Sequence, residues 1–290
     1  MTQPPKLPQP TLGYALQQTR EETGLPLAEL RVLLSHITGF NNVQLVTKSD
    51  HELPMDQLSA FKSLAARRQR GEPVAYLVQC REFYSRPFFV DPRVLIPRPE
   101  TEELVEHALV FLQHIASENL LTRVLDIGCG SGAIAISLAL ENPILEVTAS
   151  DISADALWVA QHNANTLNAR NVRFIQSDLF EHLVNQQPPL AFDLICSNPP
   201  YIEHNDPHLS QGDLRFEPSL ALTDQGDGLH FYRQIAAHSP SLLRPQGGVI
   251  VEHGYNQQTA VIDMFRQGPY SHVQGLSDLA GTPRFVLAKL

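Results

Sequence analysis

The sequence predicts an α/β protein, a doubly wound and mostly parallel sheet preceded by a small helical domain. Three observations predict it. From residue 123 onward, short apolar runs alternate with helical stretches. A glycine-rich turn follows the first of those runs. Ahead of residue 75, apolar residues recur at helical spacing in short segments separated by Gly and Pro. The 290 residues are 43% hydrophobic and 18% charged, which excludes a disordered chain and suffices for one large domain or two unequal ones.

In order along the chain, the leader MTQPPKLPQP carries four prolines and no apolar core, so it reads as a loose segment and not a secretory signal. Leu12, Leu16 and Thr19 share a helical face in a run that Gly24 and Pro26 stop. Leu27, Leu30, Leu33, Leu34 and Ile37 share the next face, ended by Gly39. A third helix near Met55–Arg70 groups Leu58, Phe61, Leu64 and Ala65. Three such helices with short loops predict a bundle, and residues 1–75 are taken as a helical domain. EFYSRPFFVDPRVLIP mixes aromatic and β-branched residues with prolines, which suits a hairpin-like linker over 76–98. Residues 99–290 form the second domain. Its first helix starts near Pro99, where Glu100, Glu102 and Glu103 favour the positive end of the helix dipole. RVLDIG, EVTASD, VRFIQSD, FDLICSN and GGVIVEHG read as strands, AIAISLALE and ADALWVAQHNANTL as helices between them. The last twenty residues read as two strands around a Gly-Thr-Pro turn, an antiparallel edge pair.

Composition excludes several functions. The net charge is −10, and residues 1–90 carry 10 basic against 8 acidic side chains, which leaves about −12 on the remainder. Sequence-independent nucleic-acid binding needs a basic footprint, so direct nucleic-acid binding is not expected. Cys80, Cys129 and Cys196 are too few and scattered for a disulfide framework or zinc site, which points to a reducing cytoplasm. No apolar run reaches the length of a membrane span.

The strongest local signal is Asp126-Ile-Gly128-Cys129-Gly130-Ser131-Gly132, after a strand and before a helix. Glycines there permit a tight turn and close backbone approach to a ligand at a helix N-terminus. An acid at the strand end disfavours a pyrophosphate and suits a cationic amino group, such as that of S-adenosylmethionine; an ordinary strand–helix turn is the bland alternative. Asp151 ends the next strand, where it can accept both hydroxyls of a ribose, and Asp178 follows the third, on the adenine side. The fourth strand delivers Asn198-Pro199-Pro200-Tyr201. A planar nitrogen delocalises its lone pair and attacks a methyl sulfonium poorly. The Asn198 side-chain oxygen can accept one of its N–H groups and the Pro199 carbonyl the other. Pro200 offers no backbone donor, and Tyr201 provides a flat wall.

These motifs resemble the class I S-adenosylmethionine methyltransferases, and more narrowly the release-factor glutamine methyltransferases. The resemblance covers most of the chain and includes GEPVAYLVQCREFYSRPFFVDPRVLIPRPETEELVE at 71–106, DIGCGSGAIAISLA, SNPPYIE and GDLRFEPSLAL at 212–222. NPPY alone is shared with adenine and other amino methyltransferases; REFY, IPRPETE and RFEP beside it are more specific. The resemblance implies a Rossmann-like, seven-stranded catalytic domain behind a helical one. As substrate it implies the glutamine of the Gly-Gly-Gln loop in class 1 peptide chain release factors, with S-adenosyl-L-methionine as methyl donor. It places Gly128–Gly132 on the methionine moiety, Asp151 on the ribose, Asp178 and Leu179 on the adenine side, and Asn198–Tyr201 on the glutamine amide, with Asn198 bordering both ligands. Some members carry Trp where this chain has Leu179, so aliphatic packing replaces a ring there.

Four rivals are disfavoured. The related ribosomal-protein glutamine methyltransferase lacks this form of the PRPETE segment. A nucleic-acid methyltransferase lacks its basic surface, a silent binding module has no use for a complete NPPY turn, and a dinucleotide oxidoreductase needs a different glycine spacing. Arg67, Arg68 and Arg70 fit a solvated helix end better than a partner or RNA contact. His204, Asp206 and His208 are not expected to bind metal, because Pro207 breaks their helical spacing. Asp227, near His230, reads as a helix N-cap. Substrate choice is expected to rest outside the pocket, on the helical domain and on the hairpin from Phe83, Phe88 and Phe89 into Arg98–Thr101.

Overall fold

The computed structural model describes residues 10–115, 121–184, 186–187 and 189–290. The expected proline-rich leader lies outside them, Pro10 apart. The chain divides into two units, with the division between Gln79 and Cys80.

Among its described residues the first unit has five helices where the periodicity predicts three. Helix α1 (Leu12–Thr23) starts at Thr11, whose side chain accepts the Tyr14 N–H, and ends at Gly24 in the left-handed region. Helix α2 (Leu27–Thr38) ends the same way at Gly39. The additional α3 (Asn42–Thr47) is held by a capping box between Asn41 and Gln44. Helix α4 (Met55–Gln69) and the five-residue α5 (Val74–Val78) complete the unit. Leu12, Leu30, Leu33, Leu34, Leu45 and Phe61 form its buried core. The arginine cluster keeps the exposure expected of a helix end at Arg70 and in part at Arg67, but Arg67 and Arg68 also pair within the unit, which the expected solvated end did not include. Arg68 holds the Glu29 carboxylate with two nitrogens, at 2.7 and 3.1 Å, and Arg67 grips Glu72 in the same way. These pairs tie α4 to α2 and to the turn after α4, a use of charge that a run of three arginines does not reveal.

The second unit opens with a hairpin of β1 (Arg81–Phe83) and β2 (Arg86–Phe88). Tyr84 and Ser85 form its turn, both with φ in the left-handed region, at 50° and 58°. Helix α6 (Glu100–Ile115) follows, and its Glu102 accepts the Tyr84 N–H at 3.0 Å, which helps to hold that turn. Phe83 and Phe88 are fully buried with Leu104, Val105 and Ala108. They are core, not a substrate-facing surface, which corrects the expectation for two of the three hairpin phenylalanines. Phe89 is half-buried, edge-on to Trp158 and His162.

The large sheet contains β3 (Arg123–Ile127), β4 (Glu146–Asp151), β5 (Val172–Gln176), β6 (Phe192–Ser197), β7 (Leu243–Glu252), β8 (His272–Ser277) and β9 (Pro283–Lys289), in the order β5-β4-β3-β6-β7-β9-β8. Only β9 runs against its neighbours. Helices α7 (Ala133–Glu141), α8 (Ala154–Leu167), α9 (His230–His238) and α10 (Gln258–Arg266) complete the unit. Alternate strand residues feed two cores: Val124, Leu194 and Ile250 join one, Leu125, Ile195 and Val249 the other. The strand order reverses between β3 and β6, so the loops at their carboxyl ends diverge and leave a crevice. Among the described residues no helix is long and apolar enough to cross a membrane.

Candidate active site

A cavity of about 400 Å³ lies in the second unit at that crevice. The loop after β3 forms one wall. Gly128 and Gly130 have φ of 72° and 53°, and a Cβ at either would meet nothing within 4 Å, so the backbone there borders open space. Gly132 serves a different purpose. A Cβ on it would come within 2.8 Å of Ile136 and 3.1 Å of Ala160, so it permits close packing of α7 on α8 and does not line the cavity. The loop is pinned from below, since Gly128 and Cys129 donate their N–H groups to the Ser150 carbonyl at 2.8 and 2.9 Å.

Asp151 is braced by the loop. One carboxylate oxygen accepts the Gly130 N–H and the other the Ser153 N–H, each at 2.9 Å. Burial raises its pKa, and those donors work against the rise. Asp126 is fully buried and does not line the cavity. One of its oxygens accepts the Ala135 N–H at 3.1 Å, while the other has no partner among the described residues. Burial pushes its carboxyl up to about 7, with the charge of Asp151 adding to the effect. The Cys129 thiol is pushed well up by burial and by the same two acids, so it stays a thiol. Asp178 and Leu179 line the cavity; Leu179 sits at φ 42°, its carbonyl accepting from the Ser177 hydroxyl at 3.0 Å.

From the end of β6, Asn198, Pro199 and Pro200 line the same cavity, while Tyr201 does not. Tyr201 packs against the core beneath, and its carbonyl accepts from Gln257 at 3.0 Å. Burial, with Glu252 nearby, pushes its phenol up to about 12. The flat wall expected of Tyr201 is therefore absent from this cavity. The Asn198 side-chain nitrogen donates to the Thr101 hydroxyl at 3.1 Å, and Thr101 donates to Glu252 at 2.7 Å.

Sequence reasoning missed Glu252 as a site residue and set Arg98–Thr101 outside the pocket, whereas Arg98 and Thr101 line it. It also missed why IPRPETE and RFEP occur together. Arg98 pairs with the buried Glu217 at 2.5 Å, and Glu217 also accepts the Ile96 N–H at 3.0 Å. This clamp joins two segments of the cavity wall from distant parts of the chain. Asp227 accepts the Leu229 N–H at 3.1 Å and pairs with Arg233, so it acts one residue ahead of α9, while the first helical N–H, of His230, goes to Asp224, which also accepts the Gly226 and Gly228 N–H groups. Asp206 accepts from both His208 nitrogens, backbone and Nδ1, at an exposed turn away from the cavity.

Comparison with known proteins agrees with this geometry. Residues 12–78 match the family model of the PrmC N-terminal domain, and residues 103–219 that of the methyltransferase small domain. The chain is 47% identical over 265 residues to the release factor glutamine methyltransferase of Neisseria gonorrhoeae, covering 91% of this chain and 94% of that one. It is 40% identical over 264 residues to the same-named protein of Escherichia coli K12, covering 91% and 92%. Among solved structures, the hMettl16 catalytic domain in complex with MAT2A 3′UTR hairpin 6 aligns with a TM-score of 0.57 at 17% identity, covering 78% of this chain and 81% of that one, and it shares the fold of the sheet. With fold, cavity and near full-length relatives in agreement, the chain belongs to the release factor glutamine methyltransferase family.

Proposed function

We infer that this protein transfers the methyl group of S-adenosyl-L-methionine to the side-chain amide nitrogen, N5, of the glutamine in the Gly-Gly-Gln loop of a class 1 peptide chain release factor. The observation that carries this reading is the placement of Asn198. Its side chain borders the glycine-loop cavity, its nitrogen is engaged by Thr101, and its oxygen is left as an acceptor. An amide nitrogen is a poor nucleophile because its lone pair is shared with the carbonyl. Acceptors that hold its two N–H groups fix the plane of the amide and add electron density to the nitrogen. Asn198 Oδ1 and the Pro199 carbonyl are those acceptors.

The residues fit the methyl donor. Space above Gly128 and Gly130 admits a ligand against the backbone. Asp151, which lines the cavity beside that loop, gives it an acidic group suited to a cationic ligand. Gly128–Ser131 would hold the methionine end, Asp151 the ribose hydroxyls, and Asp178 with Leu179 the adenine side. When bound, S-adenosylmethionine supplies a methyl group on a sulfonium, an electrophile that needs no metal. Because Asp151 also braces the loop, Asp151→Ala is expected to weaken S-adenosylmethionine binding about tenfold or more, with Asp151→Asn intermediate. Unchanged affinity by calorimetry would assign the ribose to other groups.

The cavity alone cannot select one glutamine among many, so recognition draws on contacts outside it. The test is transfer of labelled methyl to intact release factor, to a Gly-Gly-Gln peptide and to duplex DNA. Label is expected on the factor's glutamine, far more slowly on the peptide and not on DNA. Label on DNA, or none on the factor, would overturn the reading.

A further inference from the structure

Asn198, Thr101 and Glu252 come from three elements: the turn after β6, the first turn of α6 and the carboxyl end of β7. Thr101 and Glu252 are buried, at 5% and 2% exposure. A threonine hydroxyl has a single proton. Thr101 donates it to Glu252, so toward Asn198 it can only accept. The Asn198 atom facing it must then be the NH2 group. This chain of donors sets which way round the side-chain amide lies, and no donor among the described residues engages its oxygen.

We propose that Thr101 and Glu252 are positioning residues for methyl transfer, the Glu252 carboxylate orienting the Thr101 hydroxyl so that Asn198 keeps its oxygen turned to the acceptor amide. This rests on the reading of Asn198 given above. The carboxylate stands at the end of an otherwise apolar strand segment, GGVIVE, where only a specific use explains its cost. Its partners are the Thr101 hydroxyl, Arg284 on β9 and the Asn198 side chain itself, all favouring the ionised form and the last also turning its NH2 toward the carboxylate, while Glu100 on α6 opposes it; Tyr201 and Tyr232 also face it. Burial outweighs the favourable partners and pushes the carboxyl up to about 7.

The sign of the pH effect follows. Protonated Glu252 donates to Thr101, which frees the threonine proton for Asn198. The amide can then turn over, presenting its NH2 to the N–H of the substrate, donor against donor. Turnover therefore falls as pH drops through about 7 and is fully present above it.

The experiment compares the full chain with Thr101→Val, Thr101→Ser and Glu252→Gln. Thr101→Val is expected to lower kcat by about tenfold to a hundredfold, with S-adenosylmethionine affinity within about twofold, and Thr101→Ser to restore kcat. Glu252→Gln is expected to remove the acidic limb of the kcat profile. A second measurement needs no acceptor: the Asn198 side-chain amide protons, followed by NMR, should titrate in the native protein and not in Glu252→Gln. It decides the proposal even if the release factor is not the substrate or Thr101→Val does not fold. Full turnover in Thr101→Val, an acidic limb that survives in Glu252→Gln, or Asn198 signals that do not titrate would each overturn it. A surviving limb would point to Asp126, whose carboxyl also sits at about 7.

Discussion

Asn198→Ala is expected to lower kcat by about a hundredfold or more while the dissociation constant of S-adenosylmethionine changes by less than about threefold. The two effects separate because of where the side chain stands. On the proposed reading the methyl donor would be held chiefly by backbone of the glycine loop and by Asp151, none of which hydrogen-bonds to Asn198. On that reading, removing the amide would take away the acceptor that fixes the glutamine plane, and water in its place would offer no fixed geometry. Asn198→Asp is also expected to fail. It places a second carboxyl beside the buried Glu252, and like charges in a low-dielectric site force one of them to take up a proton. The protonated partner becomes a donor in a chain whose direction matters. Single-turnover rates at saturating S-adenosylmethionine are the measurement, because they exclude product release. Near-normal turnover in Asn198→Ala would remove the basis for reading the NPPY turn as the nucleophile's clamp.

The parts of this site that could be read from sequence are those built within a few residues. Gly128 and Gly130 announce a turn that needs positive φ, and Asp151 and Asn198 stand at the ends of strands that alternate regularly with helices. What could not be read depends on contacts across the chain. Thr101 lies 97 residues from Asn198 and 151 from Glu252, and each looks ordinary in its own segment. The same holds for Arg68 with Glu29 and for Arg98 with Glu217. Short elements also escape, because α3 and α5 have six and five residues, too few to show a helical period. The Tyr84–Ser85 turn carries neither Gly nor Asn, the residues that usually mark its backbone. In DQGDG two aspartates serve one helix start, Asp227 taking the Leu229 N–H and Asp224 the His230 N–H, a division that the path of the chain sets and composition does not show.

A chain beginning at Cys80 is expected to fold and to bind S-adenosylmethionine, whereas one beginning at residue 90 is expected to lose cooperative folding. Reading 76–98 as a linker suggests that the cut is harmless anywhere within it, and the packing says otherwise. Phe83 and Phe88 meet edge to face, with ring centroids 5.9 Å apart, and both are fully buried against α6. Truncating one buried phenylalanine to alanine costs about 3–5 kcal/mol, a large part of the stability of an ordinary domain. The shorter chain removes both at once, together with the β1–β2 ladder. It also removes Phe89, whose N–H donates to the buried Asn163 side chain at 2.7 Å and whose carbonyl accepts from it at 3.0 Å. Asn163 would keep its bond to the Ser131 carbonyl and lose the rest, leaving polar atoms unpaired behind the cofactor loop. Phe88→Ala in the full chain tests the same packing without a cut, and a fall in Tm of about 10 °C is expected for the second unit. Because Phe83 and Phe88 touch, the double substitution should cost less than the two single ones combined. Thermal unfolding followed by circular dichroism decides the matter: if the chain from residue 90 melted cooperatively within a few degrees of the chain from Cys80, the hairpin would be a linker after all.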